Sequence, residues 1–425
     1  MMSAATSLPQ RTRAIRRRGG SPITDSYRLG RALLLMMLLV VLDTRDFFDK
    51  GGAARHLLLL IPLSATVAIW TRNRTSRIRR MSSPDRILLV LMCVGLAGAA
   101  YGTVFLHTKS TTLSVFLPMT VAFTYLFALR PPTDEEVRKL IFGLAWVGLV
   151  YMLMNAFANS GLGSSIVAAK VYRNSKVFFI FMGIAAAIAL RRRLMLTTML
   201  ALGVFIYLTY PSGTDVIVTL VTVMTFWMTR PRGSRLRPYI LAGLGMAILV
   251  LALVNLPTTT SIANSYFGAV GKQANTATRL ALWKGGIAAF EKSPVYGTAF
   301  TGEITILVYR QPDYRSPFKS PFHDDYVMFL VTGGVLGLAV VLWWLVATEQ
   351  NVVRRYRGFL AAGQTRQAML LRTLLVGLNV FFAAAIFNPE LSGVSRGASI
   401  FAVYAMMMML ARPDARVARD RPTAC

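Results

Sequence analysis

The sequence predicts an all-α integral membrane protein with about twelve transmembrane helices and a long extracytoplasmic loop between helices 9 and 10. Apolar residues make up 55% of the 425 residues and charged residues only 15%, whereas soluble domains carry about 25% charged residues. The mean hydropathy is +0.52, and the apolar residues occur in long uncharged runs, as in membrane-spanning helices. Lysine and arginine are concentrated in the hydrophilic segments between these runs. This composition argues against a soluble multi-domain enzyme.

Twelve apolar runs are candidate spans. They cover residues 27–43, 57–71, 87–106, 112–129, 140–159, 176–190, 194–209, 214–229, 239–255, 325–347, 369–387 and 393–411. Several are shorter than the roughly 20 residues that a straight span needs, and 27–43 and 57–71 are the weakest candidates. We therefore expect the borders to be accurate only to within a few residues.

The basic residues orient these spans. With the N-terminus in the cytoplasm, 32 lysines and arginines fall in internal segments and 15 in external ones, seven of which lie in the long loop 256–324. Long loops carry little orienting information, so the relevant comparison is 32 internal to 8 external basic residues. This bias predicts that both termini are cytoplasmic. It also explains the net charge of +29 as a topological signal rather than a nucleic-acid-binding surface.

The predicted organisation has five parts. A basic cytoplasmic tail covers 1–26, helices 1–9 cover 27–255, an extracytoplasmic cap covers 256–324, helices 10–12 cover 325–411, and a second cytoplasmic tail covers 412–425. Loops longer than about 15 residues are usually functional or disordered, and the aromatic residues of the cap argue against disorder. The cap is therefore expected to be folded and functional.

A short amphipathic helix is predicted inside the cap. Apolar residues recur at three- to four-residue spacing from Leu280 through Trp283 to Phe290, which gives one apolar face that can lie along a membrane surface. The Ser293-Pro294 pair is expected to end this helix.

Several kinds of site are missing from the sequence. It contains no Gly-x-x-x-x-Gly-Lys-Ser/Thr loop for ATP, no pair of acidic residues in mid-span for a proton or sodium relay, and no Cys/His cluster with zinc spacing. Its two cysteines, Cys93 and Cys425, do not form a disulfide framework. We therefore expect no metal and no cofactor, and the pattern argues against ATP-driven pumps and secondary transporters.

One histidine stands out by its position. His323 closes the long loop directly before a span, and Gly334 and Gly337 follow within that span. Glycines three apart let a neighbouring helix approach closely, so His323 would lie at the mouth of a tightly packed bundle. From the residues alone, a functional base and a packing residue are equally open interpretations.

External arginines form the second group of candidates. Arg279 precedes Trp283 by four residues, so the two side chains share a helix face and can form a cation–π contact. Arg173 lies directly before a span, and Arg310 and Arg315 lie later in the cap. The ordinary role of such arginines is contact with lipid headgroups. The alternative is a diphosphate clamp, because a guanidinium binds phosphate through two parallel hydrogen bonds.

Three motifs, in order along the chain, resemble the pattern of the bacterial O-antigen ligase and O-antigen polymerase superfamily. They are Arg279-x-x-x-Trp283, Pro294-x-x-Gly297 and His323-Asp324-x9-Gly334-x-x-Gly337. The family pattern is an arginine, a tryptophan about four residues later, a Pro-x-x-Gly turn and His-Asn/Ser/Gln-x9-Gly-x-x-Gly at the start of a late span. The twelve predicted spans and the long external loop also resemble this family. The sequence departs from it at Asp324, and at the turn 211–214, where many members have Ser-Arg.

The resemblance implies a multi-span, GT-C-like inverting glycosyltransferase that needs neither ATP nor a metal. Arg279 and Arg173 would hold the diphosphate of a polyprenyl-diphosphate-linked glycan donor. His323 would take the proton from the acceptor hydroxyl, and the charge of Asp324 beside it would favour imidazolium. The remaining residues implied in substrate binding are Trp283, Arg310 and Arg315.

Within this family, the run His323-Asp324-Asp325-Tyr326 resembles polymerases of O-antigen and exopolysaccharide. Polymerisation of repeat units is therefore the expected function. The alternatives are an O-antigen ligase that transfers glycan to lipid A–core and a non-enzymatic flippase of lipid-linked glycans. The expected location is the bacterial inner membrane, with the active site facing the periplasm. Expected partners are the lipid-linked donor, a glycan or lipid A–core acceptor, membrane lipid and other polysaccharide-assembly proteins, but not nucleic acid.

Overall fold

A computed structural model of the protein describes residues 23–43, 48, 56–73, 78–107, 113–159, 176–209, 213–229, 282–301, 305–308, 318–321, 324–386, 391 and 393–410. The described chain is helical except for one short antiparallel pair of strands and the connecting turns. The predicted span 239–255 and most of the predicted cap 256–324 lie outside the described residues.

The helices are numbered in chain order. They are α1 (Asp25–Leu42), α2 (Leu57–Asn73), α3 (Ser83–Val104), α4 (Leu113–Phe116, continued by a 3-10 helix over Leu117–Phe127), α5 (Asp134–Asn159), α6 (Phe178–Leu190), α7 (Arg193–Thr209), α8 (Gly213–Met228), α9 (282–291), α10 (Asp325–Ala361), α11 (Thr365–Ala384) and α12 (Val394–Met409). Strand β1 (Thr305–Val308) pairs with β2 (Phe318–Pro321), with Thr305 opposite Pro321.

Four of these helices are long and apolar enough to cross a membrane. They are Ser83–Val104, Asp134–Phe157, Asp325–Ala361 and Thr365–Ala384, and several shorter apolar helices accompany them. This set of helices fits a membrane protein. Eleven of the twelve predicted spans overlap a described helix, while the number of helices that cross the membrane stays a prediction.

The core lies around α12. Nearly every residue of this helix is buried, including its run of four methionines at 406–409. A helix that is apolar on all sides is expected at the centre of a bundle. Helices α5 and α6 pack closely through two glycines, because a Cβ atom on Gly148 would lie 2.6 Å from the Cα atom of Gly183.

Helix α10 extends beyond the predicted span 325–347. The helix has 37 residues, about 55 Å at 1.5 Å per residue, against a hydrocarbon core of about 30 Å. It continues past the predicted end at 347 because Val352 and Tyr356 extend its buried stripe. Arg372, assigned to a hydrophilic loop, is instead buried in α11, with its guanidinium carbon 4.9 Å from the centre of the Phe226 ring. Arg372 therefore does not belong with the solvated loop charges that orient the spans.

Candidate functional site

Helix α10 is broken at Gly334. This residue has φ 64° and ψ −166°, a backbone conformation that is essentially restricted to glycine. The break separates a first segment, 325–333, from a second segment, 335–361. In a continuous helix the N–H groups of residues 335 and 336 would bond to the carbonyls of residues 331 and 332. The break leaves these four backbone groups without their helical partners.

The turn 294–300, which follows α9, supplies partners for all four groups. Val335 N donates to Pro294 O (2.9 Å), Leu336 N to Val295 O (3.2 Å), Thr298 N to Val331 O (3.2 Å) and Phe300 N to Thr332 O (2.9 Å). Irregular backbone at membrane depth is tolerated where protein groups satisfy it. The turn and the broken helix therefore form one structural unit.

Glycine is required where the two backbones meet. Gly297 has φ 58°, and a Cβ atom on it would clash with the carbonyl of Val331. A Cβ atom on Gly334 would clash with the carbonyl of Val295. The glycine-rich segment was expected to receive a neighbouring helix, but the segment that approaches Gly334 is this turn.

Phe300 locks the turn against the bundle. Its ring is buried and makes edge contacts with Phe116 and Phe329, at centroid distances of 5.1 and 6.4 Å. A Cβ atom on Gly333 would lie 2.6 Å from Cζ of this ring, and one on Gly337 3.2 Å from it. These two glycines therefore make room for an aromatic ring.

Asp324 caps the first segment of α10. Its Oδ1 accepts hydrogen bonds from the backbone N–H groups of Tyr326 (2.8 Å) and Val327 (3.2 Å), as in an N-cap. Burial raises the pKa of the Asp324 carboxyl above its ordinary value, and the two hydrogen bonds partly oppose this shift. The predicted substrate-binding residue Asp324 therefore has a structural role that holds the backbone directly after His323.

The next two residues tie the start of α10 to its neighbours. Asp325 Oδ2 accepts from the N–H of Leu391 (2.8 Å), and its own N–H donates to the carbonyl of Ala385 (3.0 Å). The hydroxyl of Tyr326 donates to the carbonyl of Phe382 (3.1 Å). Asp325 and Tyr326 thus hold the end of α11 and the segment that leads to α12 against the start of α10.

Helix α9 agrees with the amphipathic helix predicted from the spacing. It covers 282–291 and ends before Pro294. Leu282 is fully buried, whereas the side chains of Trp283 and Ile287 are 37% and 51% exposed. The predicted substrate-binding residue Trp283 therefore lies on an accessible apolar face.

Sequence reasoning missed the role of Lys176. This fully buried residue donates from Nζ to the carbonyls of Val40 (2.8 Å) and Asp43 (3.2 Å) at the end of α1. A cation is favoured there because the helix dipole places partial negative charge at the C-terminal end of α1. The predicted topology places Lys176 among the external basic residues, although its position at the start of the apolar run 176–190 could have indicated burial. It lies three residues after Arg173.

At the beginning of α3, Asp85 holds three elements together. It is fully buried and accepts hydrogen bonds from Ser82, from the hydroxyl of Tyr125 and, at 2.7 Å, from the hydroxyl of Tyr404. These contacts join α3, the 3-10 helix and α12. Burying a carboxylate without hydrogen-bond partners is costly. The three hydroxyls supply these partners, so Asp85 has a structural role in packing these elements.

The structure describes two of the predicted site residues, Trp283 and Asp324. The others, which are His323, Arg279, Arg173, Arg310 and Arg315, lie outside the described residues. No protein-family model and no curated protein matches the chain. The turn 294–300 with the broken helix α10 is therefore the part of the candidate site whose geometry is defined.

Proposed function

We propose that the protein is a membrane glycosyltransferase that polymerises repeat units of O-antigen or exopolysaccharide from a polyprenyl-diphosphate-linked donor. The proposal places it in a bacterial inner membrane with the active site facing the periplasm. The observation that supports it is the hydrogen-bonded contact between the turn 294–300 and the break at Gly334. Two motifs that are far apart in the sequence thereby belong to one unit.

We expect this contact to bring the predicted catalytic segments toward each other. The segment with Arg279 and Trp283 leads through α9 into the turn. The segment with His323 leads into the first part of α10, which spans nine residues, or about 13 Å at 1.5 Å per residue. Both segments are therefore attached to the same short helix, one at each end. Such an arrangement can hold a base and a diphosphate clamp around one substrate.

The proposed reaction needs only these side chains. The acceptor hydroxyl attacks the anomeric carbon, His323 takes the hydroxyl proton, and the bond to the diphosphate oxygen breaks with inversion at the carbon. Arg279 and Arg173 stabilise the negative charge that develops on the leaving diphosphate. Trp283, Arg310 and Arg315 contact the donor, and Asp324 positions His323 through the helix cap.

Purified protein in lipid vesicles with a polyprenyl-diphosphate-linked oligosaccharide tests the proposal. A polymerase releases polyprenyl diphosphate and lengthens the glycan without another acceptor. Release that requires added lipid A–core would identify a ligase instead. Transport of the lipid-linked glycan without release of diphosphate would identify a flippase and overturn the proposal.

The proposed role of His323 as the general base is tested in the same assay with His323→Ala. Removing a general base typically lowers the rate by about 10²–10⁴-fold. Lys284→Ala is the matched control, because Lys284 is an exposed cation on α9 with no proposed role. If His323→Ala turns over at the wild-type rate at equal amounts of folded protein, His323 is a packing residue.

A further inference from the structure

A lateral cleft separates the beginning of α3 from the second half of α10. Its polar part has a volume of about 440 Å³ and is lined by Ser82, Ser83, Pro84, Trp343, Ala347, Gln350, Asn351, Arg354 and Arg355. Its apolar part has about 390 Å³ and is lined by Ser83, Arg86, Ile87, Val90, Val340 and Trp343. The two parts share Ser83 and Trp343, so they form one continuous groove.

The polar part carries positive charge. Arg354 and Arg355 line the polar part, Arg86 lines the adjoining apolar part, and the described lining of the groove includes no carboxylate. Arg86 and Arg354 are exposed, whereas Arg355 donates to the carbonyl of Leu410 at 3.2 Å. The carboxylate of Asp85, adjacent to Arg86 in sequence, is buried among the hydroxyls described above. The groove is therefore complementary to an anion.

The apolar part begins beside Arg86 and continues along both helices away from Arg354 and Arg355. Val90 and Trp343 expose 58% and 62% of their surface. From Arg354 to Val340 the helix rises about 21 Å at 1.5 Å per residue, while one leaflet contributes about 15 Å of hydrocarbon. Cationic groups at one end and an apolar wall of this length match a lipid with an anionic headgroup.

We propose that this groove binds an anionic glycerophospholipid of the cytoplasmic leaflet. The phosphate lies between Arg86 and Arg354, and an acyl chain lies along Val90 and over the indole of Trp343. The short-loop charge bias assigns this end of the bundle to the cytoplasm, and basic pockets between helices on that side recognise anionic headgroups. The glycan donor is proposed to bind at the opposite end, so this site is separate from the proposed active site.

Lipid binding to the purified protein in neutral detergent tests the proposal. Phosphatidylglycerol and phosphatidylcholine with identical acyl chains are titrated and the bound lipid is counted by native mass spectrometry. We expect tighter binding of phosphatidylglycerol to the wild type. Arg86→Gln with Arg354→Gln should weaken it about thirtyfold, since one basic residue near the headgroup contributes about fivefold. Arg86→Lys with Arg354→Lys should bind phosphatidylglycerol with an affinity within a few-fold of that of the wild type.

The matched control replaces two exposed arginines outside the groove, Arg192 and Arg357, by glutamine. This variant removes the same charge and should bind phosphatidylglycerol like the wild type. Equal affinity for the two lipids, or an equal loss in the control variant, would overturn the proposal. The acyl chain is located separately with phosphatidylglycerol brominated in the tail. Its quenching of tryptophan fluorescence should fall in Trp343→Phe, and unchanged quenching would place the lipid elsewhere.

Discussion

Gly297 and Gly334 face each other at the break in α10, and a Cβ atom on Gly297 would lie 2.7 Å from the backbone nitrogen of Gly334. Both residues have positive φ, 58° and 64°. The backbone carbonyls that such Cβ atoms would meet belong to Val331 and Val295, and both carbonyls accept hydrogen bonds across the contact. Neither carbonyl can move aside without losing a bond. The glycines of the two motifs are therefore explained by the geometry of one contact.

We expect Gly297→Ala and Gly334→Ala each to destabilise the protein strongly. The positive φ alone costs about 1–3 kcal/mol, and a lost buried hydrogen bond adds about 1–3 kcal/mol. Thermal unfolding in detergent measures the effect. Gly203→Ala in α7 is the control, because its nearest neighbour, Cε of Met152, would lie at an ordinary 3.5 Å and alanine favours helix. A wild-type melting temperature for Gly334→Ala would mean that α10 can run without this break.

Asp324→Asn should be at least as stable as the wild type at neutral pH. Burial raises the folded-state pKa of the Asp324 carboxyl above its ordinary value of 3.8, so the folded protein binds the proton more tightly than the unfolded chain. The wild type therefore loses stability as the pH rises from about 3.8 through the folded pKa. Asparagine caps a helix equally well and does not titrate in this range.

Melting temperatures at pH 4, 6 and 8 check this expectation. The advantage of Asp324→Asn should appear at pH 8 and shrink toward pH 4, whereas Asp324→Ala should lose the cap at every pH, by about 1 kcal/mol. If the wild type is instead the more stable protein at pH 8, the ionised carboxylate is stabilised by a cation, and the assignment of Asp324 as a cap is incomplete.

Arg279→Lys should fail in polymer formation nearly as completely as Arg279→Ala. Lysine keeps the charge but lacks the planar group that makes two parallel hydrogen bonds to a phosphate. Chain-length ladders from cells that lack the native protein give the readout. Trp283→Phe should retain partial activity, because phenylalanine keeps an aromatic face for the cation. A chain-length ladder from Arg279→Lys that equals that of the wild type would mean that Arg279 only contacts lipid headgroups, an interaction that depends on charge alone.

The apolar runs predicted most helices because the length and composition of a run determine whether it can be a buried or membrane-spanning helix. The break at Gly334 could not be predicted in the same way. Glycine three residues before another glycine is compatible both with close helix packing and with a left-handed backbone. The partner that decides between them, the turn 294–300, is some 35 residues away in the sequence. Only the tertiary hydrogen bonds distinguish the two outcomes.

Charge counting likewise could not separate solvated from buried basic residues. Arg372 and Lys176 were assigned to loops because each lies at the edge of an apolar run. In the structure, Arg372 packs against the Phe226 ring and Lys176 caps α1. Both interactions depend on a helix that is distant in the sequence, so a local pattern can at most suggest burial and does not identify the partner. The spacing of α9 was predicted correctly because it depends on local periodicity alone.

Lys176→Met should destabilise the protein even though methionine fills a similar volume. The substitution removes the Nζ donor from the carbonyls of Val40 and Asp43, and loss of one partner of a buried hydrogen bond costs about 1–3 kcal/mol. Lys139→Met is the matched control. Its Nζ lies 3.8 Å from Oε1 of Glu135 in a pair with about half of each side chain exposed, so its loss should change stability by less than about 1 kcal/mol. Thermal unfolding of both variants in detergent gives the comparison. Equal melting temperatures for the two variants would show that Lys176 contributes no more than a surface charge, and that other groups hold the end of α1.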